Sequence, residues 1–181
     1  MKKFVVFLLS SFVILTACKS VGDKEKETTV NKTVPLETVS LKGQNIKIYD
    51  FDSFEPLLYK DNDTLYIINF WASWCKPCIK EMPYFEKINS EYSSQKVKVL
   101  LVSLDFRNQL EKKLIPFINQ KNLKSEVIML NDPDANSWIN RVDKGWTGSI
   151  PATLFYKRDE RMFFEKEFTY GELESIVKSL I

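Results

Sequence analysis

Residues 68–83 read Ile-Asn-Phe-Trp-Ala-Ser-Trp-Cys-Lys-Pro-Cys-Ile-Lys-Glu-Met-Pro. The segment joins two patterns. Upstream, Thr64 to Trp71 is a nearly continuous apolar run, as a strand covered on both faces requires. Downstream, Cys78, Met82, Phe85, Ile88 or Asn89, and Tyr92 recur at helical spacing, which predicts a helix over Lys76 to Tyr92. Cys75 falls at the junction, where the first free N–H groups and the positive end of the helix dipole stabilise a thiolate. Pro77 suits the first turn, where its missing N–H costs nothing. Lys76 adds positive charge if its ammonium turns to the sulfur. Cys78 lies one turn on, among apolar neighbours. It is therefore expected to be shielded from solvent and to attack only after Cys75 has formed a mixed disulfide.

Working outward, strands are expected at Asn45 to Asp50, Val97 to Leu104, Glu126 to Leu130, Ala152 to Tyr156 and Met162 to Phe168. Helices are expected at Ser53 to Tyr59 with Ser53 as cap, at Gln109 to Asn122 with Pro116 as a kink or break, at Ala135 to Arg141, and from a Thr169 cap to Leu180. Strands alternating with helices, then a hairpin and a last helix, predict an α/β three-layer fold. Its central sheet is mixed, parallel in the middle and antiparallel at the terminal hairpin.

The first residues belong to no such body. Lys2 and Lys3 precede an apolar run from Phe4 to Leu15, too short for the roughly 20 residues a membrane span needs. The pattern reads as a secretory leader, residues 1–17. It closes on Leu15-Thr16-Ala17-Cys18, which resembles a bacterial lipoprotein signal. That resemblance implies that Cys18 is lipidated and that the protein is lipid-anchored in the cell envelope, facing the periplasm. Residues 18–40 then form a flexible tether, and 41–181 form one domain. Loss of the leader removes two lysines and no acid, so 26 basic and 24 acidic residues become balanced. Electrostatic capture of nucleic acid is not supported by that balance. With Cys18 taken by lipid, the remaining two of three cysteines are spaced C-x-x-C, pointing to redox chemistry or half of a metal site.

The stretch Trp71 to Cys78 with Pro83 following resembles the thioredoxin superfamily. Its Asn-Phe-Trp-Ala-x-Trp-Cys-x-Pro-Cys-x-x-Glu-x-Pro form is similar to the anchored, extracytoplasmic TlpA/ResA-like thiol–disulfide oxidoreductases. A second match lies at Gly148-Ser149-Ile150-Pro151-Ala152-Thr153. The resemblance implies a thioredoxin-like fold over about residues 40–181 and a redox-active Cys75–Cys78 disulfide with no other cofactor and no metal. It also implies a cis Ile150–Pro151 bond whose preceding backbone pairs with substrate, and an acid near the active site at Glu81. Cytosolic thioredoxins hold an aspartate where this chain has Asn69, so Glu81 stands as the candidate proton shuttle, against the plainer reading of a solvated helix residue. Trp74, Lys76 and Pro77 are candidate substrate contacts. Trp71 reads as active-site packing, and Trp138 and Trp146 as core.

Disulfide reduction is preferred to oxidation, because strongly oxidising relatives tend to hold a histidine between the cysteines and this chain has none. A peroxidase would need Pro and Thr ahead of the cysteine, where Ala72-Ser73-Trp74 stand. A Cu(I) module would pair its two thiolates with a histidine, and zinc would want four ligands. A non-catalytic binding domain is opposed by the intact cysteine pair. A reductase implies protein disulfide substrates, with apocytochrome c among the candidates, and a membrane thiol donor to restore the dithiol.

Overall fold

The structure is a computed structural model and describes residues 33–181. The leader, Cys18 and the first part of the tether lie outside the described residues. Among those described, no helix is long and apolar enough to cross a membrane.

Seven strands form one sheet: β1 (Glu37–Leu41), β2 (Gln44–Tyr49), β3 (Leu65–Trp71), β4 (Val97–Ser103), β5 (Glu126–Leu130), β6 (Ala152–Lys157) and β7 (Glu160–Phe164). Their spatial order is β1-β2-β5-β4-β3-β6-β7. The inner pairs β2·β5, β5·β4 and β4·β3 are parallel, while β1·β2, β3·β6 and β6·β7 are antiparallel. The helices are α1 (Phe51–Phe54), α2 (Lys76–Tyr92), α3 (Ile115–Lys121), α4 (Ala135–Val142) and α5 (Tyr170–Leu180).

The central strand β3 is buried at every residue, and its alternation divides the molecule. Leu65, Ile67 and Trp71 face a core built with α2, α3 and α5, while Tyr66, Ile68 and Phe70 face one built with α1 and α4. Both faces of the sheet are thus covered, as its near-continuous apolar strands demand. Asn69 falls on the α2 side and is also buried. Trp138 and Trp146 pack edge to face in the second core, their rings 5.7 Å apart.

Several boundaries differ from the sequence reading. The sheet begins at Glu37, not Leu41, so residues 37–40 belong to β1 rather than to the tether. Lys42 and Gly43 both take positive φ and turn β1 directly onto β2, and Val39 and Leu41 pack on the core. Asp50, not Ser53, caps α1: its carboxylate accepts from the Ser53 N–H at 3.0 Å. The helix then tightens into a 3-10 turn at Glu55–Leu58, with Pro56 in its first positions. The long helix expected over Gln109 to Asn122 is broken just before Pro116. The backbone runs through a 3-10 turn and a π turn over Arg107–Leu114, and Pro116 sits in the first turn of α3, where no N–H is needed. The last strand ends at Phe164, short of the expected Phe168, because the Phe168 N–H leaves the sheet to bond Glu81. Thr169 caps α5, and its box with Glu172 is complete in both directions.

Candidate functional site

The site gathers at the end of β3 and the start of β6. These strands run antiparallel with Phe70 opposite Ala152, so Cys75, just past β3, and Pro151, just before β6, arrive at one edge. Cys75 is the N-cap of α2 in extended backbone, and its sulfur receives the Cys78 N–H at 3.3 Å. The side chain thus occupies the place where a helix N-terminus binds an anion. Cys75 and Cys78 are joined by a disulfide, their Cα atoms 5.3 Å apart. Cys75 retains 5% exposure and Cys78 1%, so what access exists belongs to Cys75. Ile150–Pro151 is cis, and the Ile150 carbonyl oxygen lies 3.8 Å from Cys75 Sγ.

Beneath the disulfide lies Glu81, wholly buried on the inner face of α2 one turn beyond Cys78. Its Oε1 accepts from Asn69 Nδ2 at 3.1 Å and its Oε2 from the Phe168 N–H at 2.7 Å. Asn69 uses its second amide hydrogen on Thr153 Oγ1, 3.0 Å away on β6. An asparagine is what this geometry needs, since an aspartate would set a second carboxylate against Glu81. Burial pushes the Glu81 carboxyl up to about 7, and the hydrogen bonds from Phe168 and Asn69 only partly oppose it. The reading of Glu81 as a solvated helix residue is therefore wrong.

The remaining candidates lie on the rim. Trp74 is 59% exposed beside Cys75, and Lys76 and Pro77 are exposed on the first turn of α2. Trp71 is fully buried against Phe117, ring centroids 5.4 Å apart.

Two carboxylates that sequence reasoning did not single out hold the loops of the site. Asp105, 3% exposed, takes the Ser73 N–H at 2.9 Å, the Ser73 hydroxyl at 2.6 Å and the Ser103 hydroxyl at 2.8 Å. It ties the segment before Cys75 to the end of β4, where the Leu104 N–H also reaches the Trp71 carbonyl at 2.8 Å. Glu165 takes donors from Thr147 and Ser149 in the loop before Pro151. The only signal for Asp105 in the sequence is its place just past a buried strand, where an α/β sheet builds its sites. Between these loops opens a cleft of about 340 Å³. Its walls include Leu104, Phe106, Trp138, Ile139 and Trp146, and Asp105 and Gly148 edge it.

The sequence profile of the AhpC/TSA family matches residues 26–162. A thiol-disulfide oxidoreductase ResA of Bacillus cereus is 30% identical over 124 residues, 68% of this chain and 64% of that relative. A ResA of Bacillus thuringiensis is 25% identical over 186 residues, spanning 97% of this chain and 92% of its own length. Among solved structures, a thioredoxin-related protein from Neisseria meningitidis serogroup B superposes with a TM-score of 0.56 at 21% identity. That superposition covers 66% of this chain and 86% of the other, and it supports the fold.

Proposed function

The chain belongs to the AhpC/TSA family and is a ResA-like thiol–disulfide oxidoreductase of the thioredoxin superfamily, and from that premise we propose that it reduces disulfides of extracytoplasmic proteins. The observation that carries the proposal is Cys75 as helix cap, bonded to Cys78 and facing the Ile150 backbone before a cis proline.

In the reduced enzyme the Cys75 thiolate attacks one sulfur of the substrate disulfide. A Cys75–substrate bond forms, and the other substrate sulfur leaves as thiolate. Cys78 then gives up its proton and attacks Cys75 Sγ. The second substrate sulfur leaves, and the Cys75–Cys78 disulfide closes. Two electrons pass to the substrate, and an external dithiol must return them. Glu81, one turn below Cys78 and poised near neutrality, accepts the Cys78 proton and later restores it. Trp74, Lys76 and Pro77 form the exposed lip against which substrate lies, and the Ile150 backbone aligns its chain. The cleft beside Asp105 takes an apolar side chain flanking the substrate cysteine.

The setting is part of the same proposal. Cys18 carries the lipid that anchors the chain at the envelope membrane, and a membrane thiol protein supplies electrons. Apocytochrome c, whose cysteines must be reduced before haem attachment, is one fitting substrate.

The test is the reduction potential of the Cys75–Cys78 pair, by equilibration against defined glutathione or dithiothreitol ratios. A value near about −270 mV, the thioredoxin range, supports a reductase, while one near about −120 mV makes the chain an oxidase and overturns the proposed direction.

A further inference from the structure

The loop that delivers Ile150 and Pro151 belongs to no strand or helix. Between Asp143 and Ile150 one backbone bond, from the Trp146 N–H to the Asp143 carbonyl at 3.1 Å, makes the first turn, and side chains fix the rest. The Gly145 N–H bonds Asp143 Oδ1 at 2.8 Å, and the Trp146 indole N–H bonds the Ser149 carbonyl at 2.9 Å. The centre of the loop converges on one distant carboxylate. Glu165 Oε2 accepts the Thr147 N–H at 2.9 Å, Oε1 accepts the Ser149 N–H at 3.0 Å, and Oε1 also takes the Thr147 hydroxyl. The residue between the two amides is Gly148, with φ of +95°, a conformation that L side chains rarely adopt. A Cβ there would also stand 3.0 Å from Ile139 Cδ1. That turn lets two N–H groups two residues apart point at the same anion, as backbone concavities do for bound anions. Against the upward push of burial, the Thr147 and Ser149 bonds hold the Glu165 carboxyl below its ordinary value, so it stands ionised in this cradle.

Glu165 reaches the loop because β7 pairs with β6: Phe164 lies opposite Thr153, and Glu165 is the next residue. The consequence for the site is direct. Both backbone groups of Ser149 are already engaged, its N–H by Glu165 and its carbonyl by Trp146. The following carbonyl, that of Ile150, is turned to Cys75. We propose that Glu165 is a positioning residue for disulfide exchange. It fixes the Thr147–Ser149 turn so that the Ile150 backbone meets an incoming polypeptide at the register that brings its disulfide onto Cys75. This rests on the reading of the chain as a thiol–disulfide oxidoreductase. It makes recognition of a substrate backbone, not the chemistry of the cysteines, the step that depends on Glu165.

The experiment compares two probes on the full chain. One is a disulfide-bridged peptide long enough to lie along Ile150, and the other is 2-hydroxyethyl disulfide, which has no chain to align. In Glu165→Gln one acceptor oxygen becomes an NH2 facing an N–H, and the turn loosens. Loss of one or two aligned hydrogen bonds to substrate predicts a KM for the peptide raised up to about tenfold. The expected kcat on the peptide, the Cys75 thiolate titration and the rate with 2-hydroxyethyl disulfide stay at the parental values. An unchanged peptide KM overturns the proposal, and so does an equal loss on both probes, which would place Glu165 in general support of the site. If Glu165→Gln does not give a cooperative unfolding transition, Thr147→Val, which removes one donor from the same carboxylate, carries the comparison with the same reading of outcomes. A parental chain that turns over neither probe would instead refute the thiol–disulfide function itself.

Discussion

Asn69 and Glu81 face each other across the interior, Nδ2 to Oε1 at 3.1 Å, joining the central strand to the helix that carries both cysteines. An acid so placed is held near neutrality by burial, at about 7 against 4.5 for a free glutamate. The folded chain therefore binds this proton more tightly than the unfolded chain. The Glu81 contribution to stability is fully present below about pH 4.5 and is lost as pH rises through about 7. Glu81→Gln removes that slope, so denaturant unfolding measured from pH 4 to 8 is expected to be flatter in the variant. The same substitution is expected to change the pH profile of Cys78 reactivity, and an identical profile would remove Glu81 from the proton path.

Cys75 keeps slightly more exposure than Cys78, and substitutions test the division of labour proposed for them. Cys75→Ser is expected to abolish reduction of an insulin disulfide. Cys78→Ser is expected to keep the attack and lose the release, accumulating mixed disulfides visible on non-reducing gels. Equal trapping through Cys75→Ser would reverse the assignment.

Asp105 has three donors and almost no contact with water. Asp105→Ala leaves the Ser73 N–H and two hydroxyls unpaired in a largely buried place, at a cost of about 2–3 kcal/mol. It also frees the segment before Cys75. Thermal unfolding is expected to show the loss, and exchange with both large and small disulfides is expected to slow together. That joint effect distinguishes Asp105 from Glu165, whose substitution is expected to raise KM for the peptide alone.

At the far end of the same core, Thr169 starts α5 by accepting the Glu172 N–H. Thr169→Ala is expected to lower stability by about 1 kcal/mol, seen as a fall of a few degrees in Tm. Because Phe168, which precedes the cap, donates to Glu81, the variant is also expected to shift the Glu81 titration. A lowered Tm with an unmoved titration would show that the cap and the acid are independent.

The parts legible in the sequence are those written locally. The apolar run of β3 and the helical spacing after Cys75 each declare themselves within about twenty residues, and α2 spans Lys76–Tyr92 as the spacing predicts. The cis bond at Pro151 is implied by resemblance and by nothing in composition. What the sequence hid depends on distant partners. Asp105 meets Ser73 from 32 positions away, and Glu165 meets Thr147 from 18. Either carboxylate could have been a solvated surface acid on pattern alone. Phe168 looks like the end of a strand until Glu81 is known to claim its N–H. At α1 the Asp50 carboxylate outcompeted Ser53 as cap because it reaches both the N–H and the hydroxyl of Ser53.

Consider last the antiparallel seam between β3 and β6, where Asn69 lies opposite Thr153. It joins segments more than eighty positions apart, and such closures are slow to form because the chain must lose the freedom of the whole intervening loop first. Four of the contacts around the cysteines come from the later side of that seam: Pro151, Thr153, Glu165 and the Phe168 amide. A chain threading outward from its N-terminus therefore holds Cys75 and Cys78 without these contacts until residues 151–168 have arrived. The interval before the seam closes is when the pair is most open to capture by the wrong disulfide.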